Sequence, residues 1–467
     1  MKKIGYLFFL VTCLSFAQNK QILYGFSEIP QSLLQNPGGE ATNNWYFGLP
    51  LLSHIHVQTG SSGVSFYDLF AADGIDFNVK FKNTIDNLKS TDFVTANQQI
   101  ELFSGGFAFG SSFNKNQYIS FGLYQEFDFI SYFPKDYSDL IYEGNQNNIN
   151  RIFDASDLSL SAELISVWHV GYNKKVNDNF TFGVRGKIYS SIINANSTNN
   201  NGSLVTRTGE NNFFNHIFNL DLELQTSGYT TTGEEDRFTP DDYKKRLLLG
   251  GNLGLGFDIG FTKKITDQWT FDASLLDIGF ITHKKDVENY KVEGVYEFEG
   301  VDPIFFESDE GETADDLWSS IEEDFEDLFK VDSTQTKYTT WRPAKLNASL
   351  NYAFGKKKEK TCKCIKDESK YLNAIGMQLY AIARPKQPQL ALTTYYYRRL
   401  FNGLSAKATY TIDTYSFKNI GLGVYANLGG LNFYVMADNF LEYQNIYNAQ
   451  GVSLQLGFNY IFNKNEN

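Results

Sequence analysis

The residues able to do chemistry are few and far apart. Five histidines, His54, His56, His169, His216 and His283, form no H-E-x-x-H pair of the kind that sets two imidazoles on one helix face. His54 and His56 lie two residues apart on one strand face. That spacing suits a metal, but it equally suits polar side chains directed into a barrel lumen. Ser61-Ser62-Gly63 is not a G-x-S-x-G elbow, so no nucleophile is marked. The run Gly250-Gly251-Asn252-Leu253-Gly254-Leu255-Gly256 has the glycine content of a phosphate loop, yet its period-two glycines fit a bent strand better. Ser308-Asp309-Glu310-Gly311-Glu312 lacks the ordered ligand spacing of a calcium loop. Cys362-Lys363-Cys364 supplies too few ligands for zinc and lacks the C-x-x-C redox spacing. In an oxidising compartment the two thiols suit a small-ring disulfide or pairing with a partner. The sequence therefore reads as non-enzymatic, with no cofactor and no resident metal. An acidic, exported chain is also no candidate for nucleic-acid binding.

Export is written at the N-terminus. Lys2 and Lys3 precede a mostly apolar run over 4–14, and Ser15-Phe16-Ala17 is a small-x-small cleavage signal. That run is shorter than the about 20 residues a membrane helix needs. Cys13 raises the alternative of a lipidated N-terminus, but Thr12 stands where Gly or Ala is expected. Cleavage after Ala17 is the reading adopted.

The elements that follow are strands. Beyond the leader no apolar run reaches helical membrane length, and mean hydropathy is -0.33. Tyr (29), Phe (41) and Gly (38) far outnumber Trp (5) and Pro (9), which suits strands flanked by aromatic girdles, although a soluble secreted β-protein would share that composition. Alternation is more telling. Val452, Leu454, Leu456, Phe458, Tyr460 and Phe462 fall on one face, and Ser453, Gln455, Gly457 and Asn459 on the other. Similar stretches occupy 45–58, 100–110, 118–129, 164–172, 180–192, 252–261, 269–278, 346–354, 375–383, 389–398, 404–412, 417–426 and 431–437. With both termini periplasmic, short polar connections fall on one side. The long ones, 60–99, 130–163, 194–245 and 280–345, fall on the other. An all-β transmembrane antiparallel barrel of about 14 strands (12–16) results. Residues 216–224 alternate like a strand but break the parity, so they belong to an outer loop, paired with a second short strand.

Charge is segregated. Residues 293–332 hold sixteen acidic residues and one basic residue, Lys330, so this stretch carries -15 against -13 for the whole chain. Within it, Leu317, Ile321, Phe325 and Leu328 recur at helical spacing and predict a short amphipathic helix over 313–331. It is either a solvated helix packed on the barrel mouth or a docking surface. The opposite loop, 356–370, contains seven lysines and both mature cysteines. It is either a solvated turn or a contact for an acidic periplasmic partner.

Gln35-Asn36-Pro37-Gly38 is similar to the N-P-A motif of FadL-like and PorV/PorP-like barrels of Bacteroidota, with Gly38 where Ala is common. Residues 430–439 and 448–462 resemble the closing strands of the same barrels. The whole chain, including Tyr395-Tyr396-Tyr397-Arg398-Arg399-Leu400 and Phe133-Pro134-Lys135-Asp136, resembles a Bacteroidota outer-membrane barrel family defined only as a domain of unknown function. The resemblance implies a FadL-like barrel with an N-terminal hatch marked by Asn36, Pro37 and Gly38. The layout is then a signal peptide (1–17), a periplasmic or hatch segment (18–43), the barrel (44–463) and a tail (464–467). The barrel carries an acidic outer loop (280–345) and a basic periplasmic loop (355–371).

Two function classes follow, and the fold alone cannot choose between them. The charged loops favour an accessory or docking component of an envelope assembly such as type IX secretion or gliding machinery. The alternative is a FadL-like channel taking up small hydrophobic solutes, which predicts a lateral opening or an apolar pocket behind residues 21–36. Expected partners are outer-membrane lipid and lipopolysaccharide, envelope or secretion-system proteins, and a hydrophobic small molecule.

Overall fold

The computed structural model describes residues 20–111, 114–145, 147–209, 214–228, 239–298, 329, 331–356, 371–413, 419–444 and 451–462. The leader with Cys13, the helix residues Leu317, Ile321, Phe325 and Leu328, the pair Cys362 and Cys364, and the tail 464–467 lie outside the described residues.

Twenty strands are present among the described residues. In chain order they are β1 Trp45–Gly48, β2 Ile55–Ser61, β3 Phe93–Ser111, β4 Asn114–Tyr132, β5 Ile152–Asp154, β6 Leu160–Asn177, β7 Phe180–Thr208, β8 Phe214–Gly228, β9 Asn252–Lys264 and β10 Trp269–His283. Then come β11 Val287–Phe298, β12 Asp332–Thr334, β13 Tyr338–Trp341, β14 Lys345–Lys356, β15 Tyr371–Ile382, β16 Gln389–Phe401, β17 Leu404–Ile412, β18 Asn419–Leu428, β19 Leu431–Asp438 and β20 Gly451–Phe462. Antiparallel pairing runs β3–β4–β6–β7–β9–β10–β14 and onward through β15, β16, β17, β18, β19 and β20. β1 and β2, one interrupted strand, close the ring between β20 and β3. β13 continues β14 along β10, so the wall is a closed barrel of fourteen strands.

The faces are inverted relative to a water-soluble sheet. On β9 the polar Asn252 and Asp258 are buried, whereas Leu253 is 49% exposed, Leu255 58% and Phe257 48%. On β20, Gln455 and Asn459 are fully buried while Leu454 and Tyr460 face out. Apolar-out and polar-in is the arrangement that lipid demands. Aromatic rings stack side by side around the short-turn end, read as periplasmic: Trp45 on Phe462, Phe180 beside Phe261, Trp269 beside Tyr352.

Two features depart from simple alternation. The expected first strand, 45–58, is broken: Gly48 faces Asn459 while Ile55 faces Leu456, so seven residues cover the length of three. Leu51 takes φ 64°, and the excess chain turns Ser53 and His54 fully inward. The backbone stays paired through Leu49 N–H to Phe458 O, Phe458 N–H to Leu52 O and Glu101 N–H to His54 O, as a wall in hydrocarbon requires. Residues 216–224 lie within β8, outside the wall. There β8 runs between the distal half of β7 and β11, forming an outer sheet. β7 is 29 residues long. At about 3.3 Å per residue it spans roughly 95 Å, several times the apolar band. Short helices Phe66–Phe70, Phe77–Asn87, Lys135–Glu143 and Pro240–Lys245 lie in the long connections.

Candidate functional site

The lumen is occupied by the chain's own N-terminal segment. Residues 20–44 run through single turns and one 3-10 turn, Pro30–Leu34, before joining β1. Ile22, Leu23, Tyr24, Phe26 and Ile29 are almost completely buried. Pro30 starts the 3-10 turn naturally, since its fixed φ fits and its missing N–H would be unpaired there anyway.

The segment has an apolar first half and a mixed second half, in which Leu33 packs with Tyr46, Tyr118 and Ile461 and Leu34 against the Tyr124 and Tyr189 cluster. Ile22, Leu23, Phe26 and Ile29 cluster with Tyr425, Tyr434 and Met436, with Tyr397 packed alongside; these wall residues come from β16, β18 and β19. Gly421 and Gly423 of β18 leave room for Ile22: a Cβ there would approach it to 2.8 and 2.6 Å. Lys407, on β17, is also buried. Its ammonium donates to Tyr24 O at 2.6 Å and to Gln21 O at 3.5 Å, and sits 4.2 Å from the centre of the Tyr395 ring. Among the described residues it makes no ion pair with a carboxylate. Glu28 accepts from Tyr397 and lies 3.4 Å from Arg399.

The second half also carries Asn36, Pro37 and Gly38. Gln31 and Asn459 exchange amide hydrogen bonds at 2.8 and 2.9 Å, and Gln31 also donates to Glu101 at 2.9 Å. Asn36 Oδ1 accepts from Gly38 N–H at 2.9 Å, closing the local turn. Asn173 Nδ2 donates to the carbonyls of Pro37 and Gly39, both at 2.8 Å. Ser274 Oγ donates to Gln35 O at 2.6 Å. Backbone meets backbone here. A Cβ on Gly183 would fall 1.9 Å from Pro37 O, and one on Gly38 would fall 2.2 Å from Gly260 O. Only glycine permits so close an approach.

A ladder of inward charges leads from this corner toward the outer end. Arg185 donates to the carbonyls of Leu33 and Leu34 and pairs with Asp258 at 2.8 Å. Lys187 pairs with Asp258 at 2.9 Å and Asp277 at 2.5 Å. Lys345 joins Asp277 at 2.8 Å to Glu126 at 3.1 Å. Arg342 joins Glu126 at 3.2 Å to Glu163. Four cations and four carboxylates thus alternate across β4, β6, β7, β9, β10, β14 and the connection before β14 that holds Arg342. Burying such a chain gains little net stability, but removing one member leaves an uncompensated charge.

The histidines are dispersed among separate partners. His54 Nδ1 lies 2.6 Å from Tyr434 OH, and His56 Nε2 3.4 Å from Ser453 Oγ. His283 sits between Ser227 and Thr340 at 2.7 and 2.9 Å, and His216 meets Thr206 at 3.0 Å. His169 packs on the Tyr124 ring. Among the described residues no group of three or more His, Cys, Asp or Glu is placed to hold a metal. Sequence reasoning missed the ladder and Lys407. The available signal was charge at inward strand positions, Arg185-x-Lys187 and Glu126-x-Asp128, where neutral polar residues would suffice.

A model for a family of unknown function (DUF5723) matches residues 37–438, and the chain belongs to that family. No curated protein matches. Among solved structures the chain is similar to the toluene transporter TbuX of Ralstonia pickettii, with 9% identity, 93% of this chain and 94% of that one covered, and a TM-score of 0.41. It is also similar to the toluene transporter TodX of P. putida (11% identity, 96% of each chain, TM-score 0.39). A Pseudomonas aeruginosa FadL homologue matches with 11% identity over 94% and 96% of the two chains, TM-score 0.42. The barrel assignment itself stands on the strand pairing above.

Proposed function

We propose that this member of the DUF5723 family is an outer-membrane channel for small hydrophobic solutes, closed by residues 20–44 acting as a hatch. One observation carries the reading: Ile22, Leu23, Phe26 and Ile29 fill an apolar chamber of Tyr397, Tyr425, Tyr434 and Met436 inside the barrel. A solute of the same apolar character takes that seat once the hatch withdraws. Asn36, Pro37 and Gly38 form the pivot, held by backbone-to-glycine packing. The segment before Pro30 is the part that moves. Phe70, Ile75, Phe77 and Val79, exposed on the first outer connection, are a capture surface for the same solutes. The toluene transporters named above carry solutes of this class.

The test is to hold the hatch in place. In a chain with Cys362 and Cys364 replaced by Ser, Phe26→Cys and Tyr425→Cys, whose native rings are 6.0 Å apart, are joined by a reducible bifunctional thiol reagent. Uptake of a radiolabelled apolar solute by intact cells should stop on crosslinking and resume on reduction. Equal uptake in both states would refute the channel.

A docking role within an envelope assembly has one observation in its favour, the outer sheet of β7, β8 and β11 standing clear of the wall. The charged stretches that suggest it from sequence fall largely outside the described residues. Recovery of a stoichiometric partner in mild detergent, with uptake indifferent to crosslinking, would favour that role.

A further inference from the structure

Residues 239–251, the described part of the connection between β8 and β9, lie along the outside of the barrel. Gln125, Ser166 and Ser190 are directly paired across β4, β6 and β7, and Ser190 is paired with Leu253 of β9. Their neighbours Tyr124, Val167 and Tyr189 form an interior cluster, so this row faces outward. Yet Ser166 and Ser190 are fully buried. What covers them is the helix Pro240–Lys245 and the irregular turn Arg246–Gly250. Ser166 Oγ donates to Leu247 O at 2.8 Å, Ser190 Oγ to Arg246 O at 2.5 Å, and Gln125 donates to the Tyr243 hydroxyl.

This strap lies at the upper edge of the apolar band. From Phe180 in the periplasmic aromatic belt to Ser190 is ten residues along β7. At about 3.3 Å each and a tilt near 40°, that is roughly 25 Å of height, the thickness of the lipid-facing band. Directly below the strap begins the outward column Leu253, Leu255, Phe257 and Ile259 of β9.

An open cleft of about 570 Å³ is lined by Asp241, Lys244, Lys245, Leu248, Leu249 and Gly250. Leu248 is 59% exposed, and Leu249 holds φ 74°, a left-handed conformation unfavourable for leucine. Lys244 and Lys245 pair with Asp241 and Asp242 at 3.2 and 3.5 Å, all at the surface where such pairs are weak. Asp241 lines the same cleft, so an anion bound there must displace it from Lys244, which a doubly charged phosphate does more readily than a single carboxylate holds. Two leucines and two lysines lining one cleft, next in the chain to the acyl-facing column of β9, match an amphiphile lying against the wall.

We propose that this cleft binds a phosphorylated lipid of the outer leaflet. One acyl chain packs on Leu248, Leu249 and the β9 column, and a headgroup phosphate is held by Lys244 and Lys245. The hatch plays no part in this site.

The full-length barrel is equilibrated in mild detergent with lipid A bearing its phosphates, or with the same lipid dephosphorylated, and retained lipid is read by native mass spectrometry. The phosphorylated form should be retained at least about tenfold better, given the attraction of two lysines for an anionic headgroup. K244E combined with K245E should abolish that difference. L248S combined with L249S should lower retention of both forms. Heat-modifiable gel migration reports that each variant still forms the barrel. Equal retention of the two lipids by the natural chain, or unchanged retention by the charge-reversed variant, overturns the proposal.

Discussion

The ammonium of Lys407 lies 2.6 Å from the carbonyl oxygen of Tyr24, so a buried wall cation is satisfied by the backbone of the N-terminal segment rather than by a carboxylate. This contact ties the first half of residues 20–44 to β17. A charge-assisted hydrogen bond of this kind is worth about 1.5–3 kcal/mol. Lys407→Met should therefore speed hydrogen exchange at Leu23 and Phe26 by roughly ten- to a hundredfold. Amides of β17 and β18, held by the strand ladder, should not change. Equal exchange would show that the apolar cluster alone holds the segment.

The opposite half is held by shape. Gly183→Ala would set a methyl group 1.9 Å from Pro37 O, and no flexible side chain is there to yield. Overpacking of this sort costs about 1–3 kcal/mol. The expected outcome is a barrel that assembles normally but shows higher single-channel conductance in planar bilayers, because the Asn36-Pro37-Gly38 corner no longer seats. Gly186→Ala, where nothing lies within 4 Å, is the matched control and should conduct as the natural chain does.

The charge ladder should show strong non-additivity. Arg185→Met leaves Asp258 with Lys187 as its remaining ion-pair partner and removes the donors to Leu33 O and Leu34 O. Asp258→Asn uncompensates Arg185 in turn. Each single change should cost about 3–5 kcal/mol, and the pair together less than their sum. The unfolding midpoint in urea, followed by tryptophan fluorescence in lipid vesicles, measures the cycle. Additive losses would mean that the two side chains act independently.

The strap depends on outward hydroxyls and a capped helix start. Ser166→Ala with Ser190→Ala frees the carbonyls of Arg246 and Leu247, at about 0.5–1.5 kcal/mol per bond, and should open residues 240–250 to limited proteolysis while the wall remains resistant. The same segment should respond to acid. Thr239 and Asp242 form a reciprocal capping box, and the hydrogen bonds from Thr239 hold the Asp242 carboxyl below its ordinary value. A depressed acid stabilises the folded form above the unfolded value of about 3.9 and loses that contribution as pH falls through the lowered one. Cleavage should accordingly rise below about pH 4 in the natural chain and be pH-independent in Asp242→Asn.

The sequence by itself determined the wall. Alternation such as Leu253, Leu255, Phe257 and Ile259 against Asn252 and Asp258 has a period fixed by backbone geometry, and lipid outside enforces it strand after strand. Parity then separated wall from outer loop, correctly setting 216–224 aside, because an antiparallel ring must return each strand to the opposite side. Asn36, Pro37 and Gly38 were marked only by resemblance to the N-P-A motif of FadL-like barrels. Three things were decided only in three dimensions. The break between β1 and β2 is invisible because the residues around it continue to alternate, and the excess chain is revealed only by its register against β20. The ladder from Arg185 to Glu163 joins residues scattered over six strands and one connection, and their pairing depends on barrel closure. The strap over Ser166 and Ser190 reads as an ordinary loop, since nothing in residues 240–250 says which face of a wall they will cover. Local periodicity sets which way each side chain points; which side chains then meet depends on strand register and on closure of the ring.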